Sequence, residues 1–254
     1  VNLETVWREE DGERLAATVW RAGPGHRMIS SAMLGGGIGP AGWVLNAQVP
    51  GAYSRTDPVA HLAELAALYR LEGPGVGMLT AASVARTMRR DDAGVHVSAT
   101  VGLRVPTWAA SPDGVPDPEL APLDGTSRSA RTPGTANPGT VTPGTVNPGT
   151  ATPGTVNPGT VNIVVAVPVR LSDAALVNAV VTATEAKTQA LLEAGYPCTG
   201  TASDAVCVAA ASGGAEHEVF AGPRSTWGSR IARAVHAAVH AGAVDYTRYL
   251  ETRG

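Results

Sequence analysis

Three clusters of polar side chains interrupt otherwise apolar stretches of this 254-residue chain. The first, Thr182, Thr184, Glu185, Lys187, Thr188 and Gln189, crowds the middle of a helical pattern, with Glu185 and Gln189 on one face at spacing four. That face calls for partners or a ligand, or it is the solvated side of an amphipathic helix. The second, Thr199, Gly200, Thr201, Ser203 and Asp204, leads straight into the apolar run Ala205 to Ala211. Small hydroxyls, a glycine and one carboxylate at a strand entrance suit an oxyanion or amide-binding pocket, and equally suit turn chemistry. The third is Ser30 and Ser31 before the glycine loop Gly35-Gly36-Gly37-Ile38-Gly39, with Asn46 and Tyr53 beyond it. These supply hydroxyl and amide groups with no obvious structural duty.

Other chemistries lack their signatures. The glycine loop is not followed by the Gly-Lys-Ser/Thr of a phosphate-binding loop, and Pro40 interrupts the helix start such a loop needs. A tight turn that brings backbone close to a ligand or to a neighbouring strand fits better. No G-x-S-x-G elbow and no H-E-x-x-H helix occurs. His236 and His240 share a helix face but flank the stripe Ile231, Val235, Val239, so no metal site is expected. Cys198 and Cys207 form no C-x-x-C pair, and Cys207 reads as a buried, reduced thiol.

The elements that must position these groups are mixed. Asp11-Gly12 marks a hairpin between Thr5–Arg8 and Leu15–Trp20, with a turn of two residues or a longer polar loop. Met28–Leu34 and Trp43–Val49 read as extended pieces. Asp57-Pro58 offers an N-cap and a proline at the first helical position for Val59–Tyr69. Gly77–Ala82, Val95–Leu103 and Val161–Val169 read as strands, the last nearly all apolar and therefore central. Ser172 caps a long helix, Asp173–Glu193, closed by Gly195. A strand at Ala205–Ala211 and a final helix at about Trp227–Ala241 complete the pattern. The expected fold is α+β or α/β: one layered domain, residues 1–108 with 159–254, whose central mixed sheet is flanked by helices.

Composition narrows the partners. Hydrophobic residues make up 44% and charged residues 16%, which supports a folded core. A net charge of −3 without a basic run lacks the footprint of a phosphate-backbone binder, so nucleic acid is not expected. No apolar run approaches the ~18 residues that cross a bilayer, so no membrane partner is expected. Val1 to Arg14 is acidic and lacks the pattern of a signal peptide, which makes cytoplasm the expected compartment. Residues 109–158 stand apart: from Pro133 to Asn162 six five-residue units begin Pro-Gly-Thr. Period five matches neither helix nor strand, and each Pro-Gly is a candidate type II turn, so this insert reads as a long loop of successive turns.

Several longer strings carry a resemblance. GTVNIVVAVPVRLSDAALVNAVVTATEAKTQALLEAG (Gly159 to Gly195), TGTASDAVCVA (Thr199 to Ala209), AGPRSTWGSRIARAVHAAV (Ala221 to Val239), SSAMLGGGI, the N-A-Q-V around Asn46, and GVGMLTAASV together resemble the adenosylcobinamide amidohydrolases of corrinoid salvage. The insert departs from the family's pattern, which joins the same two strands by a shorter loop. Its last unit runs into Gly159-Thr160-Val161-Asn162, so the repeat reads as copies of the strand's own opening residues.

The resemblance implies hydrolysis of the amide joining aminopropanol to adenosylcobinamide, giving adenosylcobyric acid; the alternative is a corrinoid-binding protein without catalysis. The corrinoid is substrate, and no cofactor is implied. Amide hydrolysis requires an activated water or nucleophile, donors for the oxyanion and an acid for the departing amine. Asp204 or Glu185 is expected as general base, with Lys187 or Tyr53 as charge or proton partner. Oxyanion donors are expected from the backbone of Gly200 to Ser203 or of Gly35 to Gly37. Ser30, Ser31, Gly36, Asn46, Tyr53, Thr199, Gly200, Thr201 and Ser203 are the expected substrate contacts. This scheme needs Glu185 and Asp204 around one cavity.

Overall fold

The computed structural model describes residues 1–51, 53–115, 117, 159–214 and 217–252. The repeat units from 133 to 158 lie outside them, as does most of the segment that precedes the repeat.

Strands β1 (Leu3–Glu10) and β2 (Glu13–Arg21) form a hairpin whose last pair is Glu10 and Glu13. Asp11 and Gly12 both have positive φ, 51° and 78°, as a two-residue turn matched to strand twist requires. The chain continues through β3 (His26–Ser30), β4 (Gly37–Pro40), β5 (Trp43–Gln48), helix α1 (Pro58–Leu68) and β6 (Val76–Thr80). A 3₁₀ turn at Val84–Arg86 precedes β7 (Met88–Asp92) and β8 (Val95–Gly102). Then come β9 (Thr160–Val167), β10 (Arg170–Leu171), α2 (Asp173–Glu193), β11 (Ala205–Ala211), β12 (His217–Glu218) and α3 (Thr226–Glu251). The expected caps are in place: Asp57 Oδ1 accepts from Ala60 N at 2.9 Å and Ser172 Oγ accepts from Ala175 N at 3.1 Å.

The fold is α+β, but the strands divide between two mixed sheets rather than one. One runs β1-β2-β5-β6 and the other β4-β3-β11-β9-β8-β7, with β10 and β12 as a short parallel pair. Each large sheet contains one parallel pair bridged by a helix: β5 and β6 through α1, β9 and β11 through α2. Side-chain alternation shows how the layers stack. On β9, Val161, Ile163, Val165 and Val167 join the core beneath α2 and α3, whereas Val164 and Ala166 join Val44, Val76 and Met78 of the other sheet. On β5, Val44 faces that inter-sheet core, and Leu45 and Ala47 pack with Leu62 and Leu65 of α1. The order of layers is therefore helix, sheet, sheet, helices. The inner face of α2 is built of small residues, Ala175, Ala179, Ala183, Ala186 and Ala190, which lets the helix lie close against its sheet with little aromatic filling.

The glycine loop is where the two sheets touch. Gly35 has φ +71°, and a Cβ there would stand 1.9 Å from the Gly75 carbonyl oxygen; one at Gly36 would stand 2.4 Å from that of Ala32. Gly77 N donates to Leu34 O at 3.0 Å across the same crossing. Of the two readings of this loop, close approach of a neighbouring strand is the one the backbone displays.

Candidate active site

The period-two pattern that builds the layers also buries polar groups between them. Asn46 shares the inner face of β5 with Val44, and Asn162 the inner face of β9 with Val164, so the two meet between the sheets. Asn162 Nδ2 donates to Asn46 Oδ1 at 2.8 Å and to Leu79 O at 3.1 Å, and Asn46 Nδ2 donates to Thr100 Oγ1 at 2.8 Å. The Thr100 hydroxyl in turn pairs with that of Thr87 at 2.7 Å. Among the described residues Asn162 Oδ1 is buried without a partner. Asn162 is the third residue of β9 and, after the opening Thr160, its one polar side chain; that amide in a run of apolar residues was the signal available to find it.

The second polar cluster converges where β9 and β11 begin. Asp204 immediately precedes β11, and Lys187 reaches it from the inner face of α2, with Nζ 2.5 Å from Oδ2 and both side chains about nine-tenths buried. Asp204 Oδ1 also accepts from Val161 N at 2.8 Å and from the Thr201 hydroxyl at 2.5 Å, and Oδ2 accepts from Thr201 N at 3.1 Å. The carboxylate thus has four donors on roughly four lone-pair sites. Ser203 Oγ donates to Gly159 O at 3.0 Å and pairs with Thr160 Oγ1 at 2.9 Å. Gly200 packs so tightly here that a Cβ would lie 2.2 Å from Asp204 Oδ2 and 2.5 Å from Lys187 Nζ. Thr199 ties this loop to the segment that follows β8: its N donates to Thr107 O at 3.0 Å, and its Oγ1 accepts from Ala109 N at 2.8 Å. The whole arrangement is a clamp on the entrance of two neighbouring strands.

Glu185 is not brought into that clamp. Two positions on a helix are separated by about 200° of rotation, so while Lys187 points inward Glu185 is exposed, in a groove between α2 and α3 that also holds Arg224, Arg233 and His236. Ser30 and Ser31 are spent on local structure. Ser30 Oγ accepts from Ala32 N at 3.0 Å, Ser31 Oγ accepts from Val206 N at 3.1 Å, and Ser31 N donates to Val206 O at 3.1 Å. Gly36 sits in the sheet crossing already described. The Tyr53 hydroxyl lies on His61 Nδ1 of α1, at 3.0 Å.

Beside the clamp lies a cavity of about 320 Å³. Gly159, whose carbonyl Ser203 holds, forms part of its wall, with Gln48 from β5, Gly102 from β8, and Asp245, Tyr246 and Tyr249 from α3. Arg86 closes one side, pairing with Asp245 through Nε to Oδ2 and Nη2 to Oδ1, both at 2.8 Å, and stacking over the Tyr249 ring at 5.1 Å. Burial pushes the Tyr246 hydroxyl up to about 12, so it stays a hydrogen-bond donor at neutral pH. Asp245, Tyr246 and Tyr249 were missed because α3 was expected to end near Ala241, one to two turns short of them. Among the described residues no group of three or more metal-ligating side chains occurs, and no helix is long and apolar enough to cross a membrane.

A family model described as adenosylcobinamide amidohydrolase matches residues 2–251. An adenosylcobinamide amidohydrolase of Methanosarcina mazei is 40% identical over 101 residues, which are 37% of this chain and 47% of that protein. The alignment thus spans about half the length of the relative, whereas the family match runs through both sheets and all three helices. The chain belongs to the adenosylcobinamide amidohydrolase family.

Proposed function

We propose that this chain hydrolyses the amide linking aminopropanol to adenosylcobinamide, releasing aminopropanol and leaving adenosylcobyric acid, a salvage step toward cobamides. The observation that carries this reading is the family match over nearly the whole chain, residues 2–251. The cavity fits one part of such a substrate. About 320 Å³ is at the small end of ligand pockets, enough for the aminopropanol arm and its amide but not for a corrin ring. The arm enters between Gln48 and α3, and the macrocycle rests across the mouth.

In this scheme Asp204, Lys187, Thr199, Gly200, Thr201 and Ser203 are positioning residues. The clamp fixes Gly159 and the start of β9 in the cavity wall, and a carboxylate with four donors has no lone pair to spare for a water. Asn46, with Asn162, fixes the second sheet against the first at the same end. Arg86 and Tyr249 stand where an amide oxygen and the arm's hydroxyl need polar neighbours. Glu185, in its outer groove, meets at most the rim of so broad a substrate.

Incubation with adenosylcobinamide, followed by detection of free aminopropanol and of the corrinoid acid, tests the reading. Both products in equal amount are expected. Tight corrinoid binding with no aminopropanol released would instead make the chain a binding protein.

A further inference from the structure

Hydrolysis of an amide needs a group that takes a proton from the attacking water, and the cavity wall offers few. Among the described residues its titratable side chains are Arg86, Arg104, Asp245, Tyr246 and Tyr249. Guanidinium groups only donate. Phenols keep their protons at neutral pH, and burial pushes Tyr246 further up, to about 12. The serine hydroxyl of Ser83 and the amide of Gln48, in the same wall, take up no proton there either. Asp245 is the one carboxylate in the described wall, and the one group in it able to act as a base.

Its geometry leaves it free to do so. Arg86 donates from Nε to Oδ2 and from Nη2 to Oδ1, both at 2.8 Å, which occupies two of roughly four lone-pair sites and fixes the plane of the carboxylate. Asp204, by contrast, has all four filled. The Asp245 side chain is 27% exposed, so water reaches it.

The same turn that holds Asp245 also aims an amide. Val84 N donates to Gln48 Oε1 at 3.2 Å. A backbone N–H can only donate, so the atom facing it is the amide oxygen, and both N–H groups of Nε2 are left for the cavity that Gln48 lines. Val84 and Arg86 are the first and last residues of one 3₁₀ turn, about 4 Å apart along its axis. One end of that turn orients the Gln48 amide and the other orients the Asp245 carboxylate. Two guanidinium groups against one carboxylate make the described wall net positive, which favours an oxyanion over a neutral amide.

We propose that Asp245 is the general base of the amide hydrolysis and that the Gln48 amide is its oxyanion donor, the two held by opposite ends of the Val84–Arg86 turn. This rests on the amidohydrolase reading above. As the water oxygen bonds to the amide carbon, its proton passes to Asp245, and the carbonyl electron pair moves onto oxygen, where Gln48 Nε2 donates to it. The tetrahedral adduct then collapses: the carbonyl re-forms, the C–N bond breaks with its electron pair on nitrogen, and Asp245 delivers its proton to that nitrogen. The water has supplied the acid's hydroxyl and one hydrogen of the amine, and Asp245 ends as the carboxylate it was.

The test is kcat and KM for aminopropanol release from adenosylcobinamide, as a function of pH, in wild type, Asp245→Asn and Gln48→Glu. Asp245→Asn keeps the shape of the side chain and an oxygen for Arg86, and should lower kcat about 10²–10⁴-fold with KM changed far less. In wild type, kcat falls on the acid side as the carboxylate takes up a proton. The residual rate of Asp245→Asn lacks that limb, whereas loss of a mere tether between the turn and α3 would scale kcat alike at every pH. Gln48→Glu still accepts from Val84 N but has no N–H to give, and should lower kcat about 10²–10³-fold. It carries the test should Asp245→Asn fail to fold. Wild-type kcat in either variant, or an acid limb that persists in Asp245→Asn, overturns the proposal and leaves the amidohydrolase reading standing. A wild-type protein that releases no aminopropanol overturns both.

Discussion

Replacing Lys187 by Met keeps the aliphatic stem that packs against the sheet and removes only the ammonium. Asp204 then retains three donors, Val161 N, Thr201 N and the Thr201 hydroxyl, but loses its one cation. Breaking a fully buried ion pair costs about 3–5 kcal/mol. Here the side chains keep 8% and 10% of their exposure, and three hydrogen bonds remain on the carboxylate, which brings the expected cost to about 2–3 kcal/mol. For a chain of this size that corresponds to a fall in Tm of roughly 5–10 °C. Calorimetry or a CD melt at neutral pH reads it directly. In the Lys187→Met, Asp204→Asn double variant both charges are gone while the amide oxygen can still accept from Val161 N and the Thr201 hydroxyl, so the two changes should cost less than their sum, giving a coupling energy of about 2 kcal/mol in the cycle. A single variant melting within about 2 °C of wild type, or a cycle with no coupling, would show that the pair does not hold the strand entrances together.

Three further outcomes follow from the same geometry. Arg86→Ala should raise KM for adenosylcobinamide severalfold while costing under about 1 kcal/mol of stability, because the Arg86–Asp245 pair is 40% and 27% exposed and screened by solvent. Asn46→Leu and Asn162→Leu should each destabilise by about 1–3 kcal/mol by stranding a buried amide, whereas the double variant, read by denaturant midpoint, should cost less than the sum. Glu185→Gln should leave kcat and KM within about twofold of wild type, the range of a minor surface change. Loss of turnover there would place the outer groove in the reaction.

How much of this was legible depends on whether the signal was local. Helix caps were: Asp57 and Ser172 each announce a helix by side-chain chemistry completed within three residues. The hairpin at Asp11-Gly12 was legible for the same reason. What a buried strand is buried against was not. Continuous apolar runs at β5 and β9 require cover on both faces, and a second sheet supplies it as well as a helix does, so two sheets read as one. β7, Met-Arg-Arg-Asp-Asp, carries no apolar alternation because it is an edge strand, whose charges guard an open row of backbone groups. The final helix was expected to end near Ala241, just before Gly242. Instead Gly242 is a point of close packing, where a Cβ would come within 2.5 Å of Val101 Cγ2, and the helix continues for a further nine residues to Glu251. That extension carries Asp245, Tyr246 and Tyr249 to the cavity. The polar cluster Thr199 to Asp204 was visible as a cluster, but the partners on which its hydroxyls and carboxylate are spent, Gly159, Val161 and Lys187, come from distant parts of the chain that no local pattern announces.

The two parallel units explain why such different segments meet at one place. In β5-α1-β6 the carboxyl ends of the strands, Gln48 and Thr80, lie at the same end of the sandwich as the amino ends of β9 and β11, since Asn162 donates to both Asn46 and Leu79. The two βαβ units are thus set in opposite senses about the Asn46–Asn162 contact. One brings the β5 to α1 loop with Tyr53; the other brings the loop between α2 and β11 with Asp204. A chain built on one sheet could offer a ligand only the carboxyl ends of its own strands. Two opposed units instead bring the carboxyl end of one parallel pair and the amino ends of another to the same cavity, whose wall takes Gln48 from β5 and Gly159 from the entrance of β9. Substitutions in the clamp should therefore move stability and activity together, and a clamp variant that melts early yet releases aminopropanol at the wild-type kcat would refute that coupling.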